Sequence, residues 1–385
     1  DVMLAEPDEG DWLSWRRTAD GWGYSPLDQI NSGNVEGLSL VWSRELTAGS
    51  QQATPLVYDG VMYMPNPRDV IQAIQAVTGD LIWEHRREVP DDIEDYLIAG
   101  LSDVNRNLAI HGTSIIDTSV DDYVFSLDAR NGQLQWETEI LDYEVNPANQ
   151  TSGPIVANGK IVSGRSCTPR GGPEACVIVA HDVSTGVELW RRSTIPRPGE
   201  PGNESWGNVP FQERKHVGTW MVPSYDPELN LLYVGVGNGS PWTRQHRSPD
   251  GGDNLYLSSI IALEPDTGQL VWHYQTTPGD NWDYTATQHI ILADLEIDGR
   301  LRQVLMQAPK NGFFYVIDRA TGELLSAEKY VTVNWASHVD LETGRPVELP
   351  DGHYDEQPRV VLPSPSGGHN WHPMSFSPET GLVYI

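Results

Sequence analysis

Three oxygen-bearing side chains in irregular stretches of this 385-residue chain have the chemistry of a hard-cation site. Glu174 stands in a GGPE run, Asn238 in GNGSPW and Asp283 in NWDY. Two carboxylates and an amide oxygen suit Ca²⁺, which takes six to eight oxygens and completes its shell with ligand or water. None has the continuous spacing of an EF-hand loop, and loop carboxylates are commonly just solvated. Arg106 and Lys310 suit an anionic ligand, or equally a surface salt bridge. Trp220 and Trp242 suit a flat ligand or an apolar wall, or simple local packing. Cys167 and Cys176 form no CxxC, and no CxxCH for covalent haem occurs. They are two reduced buried thiols or a disulfide, and the Gly/Pro-rich loop between them favours a hairpin that brings them together.

The elements that position these residues follow from an internal repeat. AIQAVTGDLIW (73–83), SLDARNGQLQW (126–136), AHDVSTGVELW (180–190), ALEPDTGQLVW (262–272) and VIDRATGELLS (316–326) share one pattern. Their turn glycines, Gly79, Gly132, Gly186, Gly268 and Gly322, lie 53, 54, 82 and 54 residues apart. Each unit reads as a strand, a type I turn with glycine in the left-handed position, and a second strand that ends on tryptophan in four of the five. A further strand pair precedes most units, as at 54–64, at 154–162 with its Asn158-Gly159 turn, and at 221–236. Four strands per period is one propeller blade, so the expected fold is an all-β propeller. The recurrent tryptophans Trp83, Trp136, Trp190 and Trp272, with Trp42, are expected to cap each blade against the next. This accounts for part of an unusual composition, 14 Trp against 5 Phe. The irregular stretches that hold the chemical residues then fall at the centre of the ring.

Composition excludes other classes. The formal charge of −29 lacks the basic footprint that nucleic acid or an anionic membrane surface requires. No run approaches the roughly 20 apolar residues of a membrane helix. No signal-peptide pattern opens the chain, and it stops inside a hairpin. It is therefore expected to be one domain, 1–385, of a propeller cut short at its C-terminal end.

The stretches GNGSPW, SPDGGDNLYLSSIIALEPDTG, PGDNWDYTATQ, APKNGFFYVIDRATG, VNWAS and GGHNWHPMSFSPETGLVY closely resemble the pyrroloquinoline quinone (PQQ) dependent alcohol dehydrogenases. Within them the chain most resembles the quinohaemoprotein ethanol dehydrogenase branch, from about Asp11 to its end. The resemblance implies an eight-bladed propeller with tryptophan docking motifs. It implies a periplasmic enzyme that oxidises alcohols, with PQQ and Ca²⁺ on the axis and a cytochrome c or an artificial dye as electron acceptor. By motif, Asp283 matches the catalytic base and a metal neighbour, and Asn238 and Glu174 match metal ligands. Trp220 matches the floor beneath the quinone, and Arg106 and Lys310 match the cations at its carbonyl edge. Thr151, Asn370 and Trp371 match cofactor contacts, and Trp242 a wall of the substrate cavity.

Three departures accompany the resemblance. A pair of adjacent cysteines before DVNR is replaced by Leu101-Ser102, with Leu101 offered to the pocket, so bulky or secondary alcohols are expected to enter. GGPE is offset within the Cys167–Cys176 loop. A first-blade glutamate is replaced near Gln51-Gln52, which leaves Gln52 as an uncharged contact. Thr285 stands where lanthanide-using members carry an extra Asp, which favours Ca²⁺. The alternative is a non-catalytic binding propeller, which does not need Asp283, Asn238, Glu174 and Lys310 together.

Overall fold

The computed structural model describes residues 7–98, 100, 101 and 104–385. Five four-stranded antiparallel sheets follow one another along the chain. The first comprises Leu56–Tyr58, Val61–Asn66, Val70–Gln75 and Leu81–Arg86. The second runs from Ala109–His111 to Leu134–Glu139, the third from Ile155–Ala157 to Glu188–Ser193. The fourth runs from Ser224–Asp226 to Leu270–Gln275, the fifth from Ile290–Ile297 to Leu324–Lys329. Every strand pairs with its sequence neighbour within the sheet, save that Ser166–Cys167 is set aside from the third. These are the blades of a propeller.

The repeat holds at the level of single bonds. In each blade the outer strand slips register by one residue just before the turn, as between Ala73 and Ile74 or Ser126 and Leu127. The turn closes with the glycine amide donating to the carbonyl four residues back, Gly132 to Asp128 at 2.8 Å and Gly322 to Asp318 at 2.8 Å. Gly132 has φ +71°, a conformation that costs a side chain about 1–2 kcal/mol.

The glycine has a second reason to be there. The outer-strand tryptophan of one blade lies flat on the turn glycine of the next: Trp83 on Gly132, Trp136 on Gly186, Trp190 on Gly268 and Trp272 on Gly322, with Trp42 on Gly79. A β-carbon on Gly132 would stand 2.5 Å from Trp83 Cε3. The indole is also tethered, since Trp83 Nε1 donates to Ala129 O at 2.9 Å and Trp190 Nε1 to Pro265 O at 2.8 Å. The expected caps are thus joints between blades. Apolar clusters fill the spaces between neighbouring sheets, for example Tyr233, Trp272, Leu292 and Tyr315 between the fourth and fifth.

The N-terminal segment is a strap across these blades. Trp12 bridges to Val57 of the first blade. Trp15 then packs edge-on to His289 at 4.8 Å, and Trp22 Nε1 donates to Leu292 O of the fifth blade at 2.7 Å. The Phe376 amide donates to Trp22 O, which ties in the hairpin of Ser375–Ser377 and Leu382–Tyr384.

Cys167 and Cys176 are bonded. The loop between them is not a β-hairpin. Ser166–Cys167 pairs instead with Ala148–Asn149, and a 3₁₀ turn over Pro173–Ala175 returns the chain to Cys176.

Candidate functional site at the propeller centre

The innermost loops of different blades meet through close backbone approaches. Gly218 packs on the 165–167 segment, where a β-carbon would lie 2.7 Å from Arg165 O, and Thr219 N donates to that carbonyl at 2.8 Å. Gly237 N donates to Gly218 O at 2.7 Å, which lays the GNGSPW loop against Trp220. Glycine is required at both points because nothing larger fits between the chains.

Arg106, Thr151 and Trp220 form one unit. Arg106 NH1 donates to Thr151 O at 2.8 Å and to Trp220 O at 2.9 Å, and its guanidinium stands 5.3 Å from the Trp220 ring. Thr151 Oγ1 also donates to Trp220 O, at 3.0 Å. Arg106 is 4% exposed, and its Nε is buried without a partner among the described residues. Burial without a compensating carboxylate pushes its pKa down to about 9. A buried cation in this state is costly unless an anion joins it. Thr54 N donates to the Arg106 carbonyl at 3.5 Å, and two positions earlier in the chain Gln52 Oε1 is buried without a partner among the described residues.

Asp283 and Lys310 form the second unit. Lys310 Nζ donates to Asp283 Oδ2 and to Asp283 O, both at 3.1 Å. Their side chains are 9% and 15% exposed for Lys310 and Asp283. Burial raises the Asp283 pKa, and the lysine works against that rise. Asp283 has φ +66°, held by what flanks it. Asp280 Oδ1 accepts the amides of Trp282 and Tyr284, each at 3.1 Å. Trp282 Nε1 donates to Gly352 O and Tyr284 Oη to Pro363 O. Asp280 is fully buried and its pKa rises to about 7 for that reason.

A third set closes the gap between these units. Gly368 N donates to Lys310 O, so the loop carrying Asn370 and Trp371 lies against the lysine. Trp371 packs in one apolar cluster with Trp220, Met221 and Trp15. Asn370 Nδ2 donates to Ser366 O at 2.8 Å within its own loop. Asn238 is 4% exposed and its Nδ2 donates to Gly239 O at 3.2 Å, a contact that turns the amide without occupying its oxygen.

Other expected residues lie elsewhere. Glu174 is 44% exposed at its side chain and pairs with Arg197 at 2.5 Å. The structure thus gives Glu174 a surface partner rather than the Asp283–Lys310 pair, because the disulfide-bonded loop returns through its 3₁₀ turn with the carboxylate outward. Among the described residues no group of three His, Cys, Asp or Glu side chains is arranged to hold a metal. Trp242 is 47% exposed, with its carbonyl taken by Arg247. Leu101 is half-buried in a turn, its amide on Ile98 O and its carbonyl on Val104 N. Ser102 and Asp103 fall outside the described residues. The Thr285 hydroxyl is engaged by Gln288 and Thr287.

Sequence reasoning missed three braces. Arg247, 5% exposed, reaches Asn254, Pro241 O, Trp242 O and Asp280 O, and so joins GNGSPW to the Asp283 loop. Arg165 and Asp122, both wholly buried, pair beneath the 165–167 segment. His216, two residues before GTW, places Nδ1 2.7 Å from Cys167 O. No motif or spacing marked any of them.

The site thus defined is a propeller centre that joins a buried, anion-seeking arginine on an indole to a lysine-braced carboxylate. A match to the PQQ glucose/ethanol/alcohol dehydrogenase β-propeller domain covers residues 12–346. The chain belongs to the PQQ-dependent alcohol dehydrogenase family. It is 46% identical over 400 residues to the quinohemoprotein alcohol dehydrogenase ADH IIB of Pseudomonas putida, covering 100% of this chain and 56% of that protein. The structure of ADHIIG from Pseudomonas putida HK5 superposes with a TM-score of 0.92 at 43% identity, over 100% of this chain and 58% of that one. A europium-containing methanol dehydrogenase superposes with a TM-score of 0.91 at 31% identity, over 100% and 70%. The chain spans about half the length of the curated relatives it matches.

Proposed function

We propose that the chain is the catalytic propeller of a PQQ-dependent alcohol dehydrogenase, with residues 1–385 belonging to one domain. The observation that carries this reading is Arg106, a buried cation on the Trp220 ring with an orphaned Nε and no carboxylate partner among the described residues. An anionic, flat cofactor supplies what that arrangement lacks. Gln52 Oε1, Thr151, Asn370 and Trp371 are of the types that suit the cofactor's polar edge and open face. Asp283 and the free amide oxygen of Asn238 are hard oxygen donors suited to Ca²⁺. Thr285 adds no carboxylate there, which favours a divalent over a trivalent ion.

When bound, PQQ with its metal supplies the hydride-accepting quinone and the Lewis acid that polarises it. The protein's own residues do the rest. Asp283 Oδ accepts the proton of the alcohol hydroxyl as general base. Lys310 fixes that carboxylate through two bonds and offsets part of the burial that would otherwise keep it protonated. Arg106 supplies positive charge where negative charge grows. Trp220 and Trp371 keep the space flat and poor in water. Trp242 and Leu101 are assigned to the alcohol side by the motif resemblance alone, and electrons pass to a cytochrome c in the periplasm or to an artificial dye in the assay. Bulky and secondary alcohols are among the expected substrates. No helix among the described residues is long and apolar enough to cross a membrane.

Dye reduction with an alcohol after addition of PQQ and Ca²⁺ tests the reading. Activity that requires both and disappears in Asp283→Ala supports it. Absence of PQQ-dependent reduction refutes it.

A further inference from the structure

The stalk of Arg106 is gripped from three sides, and one of the grips is a charged group with no part in the scheme above. Ahead of the first blade, Thr54 N donates to Arg106 O at 3.5 Å. Toward the third blade, Asn107 Nδ2 donates to Pro154 O at 2.7 Å, and a β-carbon on Gly153 would lie 2.2 Å from Asn107 O. The second blade holds the remaining side. Asp117, in strand Ser114–Thr118, accepts Asn105 Nδ2 on Oδ2 at 2.7 Å. Asn105 Oδ1 in turn accepts the Asn107 amide at 3.2 Å. That last bond is one that asparagine makes with its own backbone two residues on, and it closes a turn with Arg106 at the apex.

Asp117 is a costly residue where it stands. It is 0% exposed and faces Phe125 across the sheet. Burial and the nearby charge of Asp69 push its pKa well up, and no cation among the described residues works against that rise. A buried carboxylate without a cation is destabilising, and an apolar residue would serve packing better. Its oxygens meet two donors, Asn105 Nδ2 and its neighbour Thr118 N, both at 2.7 Å. What Asp117 does that an apolar residue cannot is hold the Asn105 amide. The other two grips use backbone groups of the neighbouring blades, so this is the one that depends on a distant side chain. Arg106 needs its stalk fixed, because its guanidinium must reach Thr151 O and Trp220 O and lie over the indole at once. Sites of this kind tolerate only about 0.5 Å of displacement.

We infer that Asp117 is a positioning residue for the cofactor's cation: through Asn105 it fixes the turn that aims Arg106, and so sets how tightly PQQ binds. This rests on the dehydrogenase reading above.

The test titrates PQQ into the protein with Ca²⁺ present, followed by quenching of tryptophan fluorescence. It uses the parent, Asp117→Ala and Asp117→Asn, and both substitutions again in an Arg106→Met background. A thermal melt on each variant separates loss of fold from loss of binding, and Asp117→Asn, of the same size, decides the question where the alanine variant does not fold. The Kd for PQQ is expected to rise about tenfold in Asp117→Ala, the worth of one hydrogen bond expressed as a ratio. Asp117→Asn keeps one acceptor and is expected to retain part of the affinity. Neither substitution is expected to weaken binding further once Arg106 is gone, the non-additivity of residues that act through one another. Parent-like affinity in both Asp117 variants, or a loss of equal size with and without Arg106, overturns the inference and leaves the dehydrogenase reading in place. Absence of PQQ binding by the parent overturns that reading and this inference with it.

Discussion

Gly132→Ala and Gly159→Ala form a matched pair that isolates the blade joint. Both glycines have nearly the same backbone, φ +71° and +73°. Alanine in that conformation costs about 1–2 kcal/mol, part of which is offset by its stiffer unfolded chain, by about 0.4–1 kcal/mol. Around Gly159 an added β-carbon meets nothing within 4 Å, so the net cost there is about 1 kcal/mol. At Gly132 the same carbon would lie 2.5 Å from Trp83 Cε3 and 2.8 Å from Cδ2. The indole cannot simply retreat, being 8% exposed and tethered to Ala129 O. Overpacking of this kind adds roughly 1–3 kcal/mol. Gly132→Ala is thus expected to lose about 2–4 kcal/mol, at least 1 kcal/mol more than Gly159→Ala. Equilibrium unfolding in urea, read by the midpoint at constant slope, measures the difference. Equal losses at the two positions would show that seating the indole on the glycine contributes nothing, and would refute the account of how blades are joined.

Further outcomes follow from the site and its supports. Asp283→Asn keeps the shape of the site and removes the base, and kcat is expected to fall about 10²–10⁴-fold in a dye-reduction assay. Arg106→Met removes the cation on the Trp220 ring, and PQQ affinity is expected to drop about 10–100-fold by fluorescence titration, the worth of a charge-assisted bond. Arg165→Met strands the Asp122 carboxylate, at a cost of about 3–5 kcal/mol near neutral pH. Burial already raises the Asp122 pKa above 3.8, and loss of Arg165 raises it further. The unfolded carboxylate ionises first, so the variant's deficit is expected to widen as pH rises from about 4 toward neutrality and to shrink in acid. Denaturation midpoints taken across that range check the sign.

What sequence revealed and what it hid divide along a physical line. The blade was legible because its determinants are local. A turn glycine recurs in all five units, an acidic residue four positions ahead of it in four and a tryptophan four positions on in four, all within eleven residues. The pairing of Arg106 with Trp220 was not legible from spacing, since 114 residues separate them and only the motif resemblance placed them side by side. At Glu174 the letters GGPE lie inside the disulfide-bonded loop and the carboxylate pairs with Arg197, a partner that no spacing in the sequence announces. His216 and Arg247 carried no signal because their importance lies in which backbone carbonyls they meet, and those carbonyls belong to loops from other parts of the chain.

The N-terminal strap sets an order of events during synthesis. Each blade finds its partners within a few tens of residues and can close as it leaves the ribosome. The strap cannot, because Trp22 must wait for Leu292, 270 positions later. Until Leu292 is made Trp22 has no seat, and its indole is exposed to other chains throughout that interval. The fastening that ties the first blade to the fifth is therefore also a long window of exposure to misassembly.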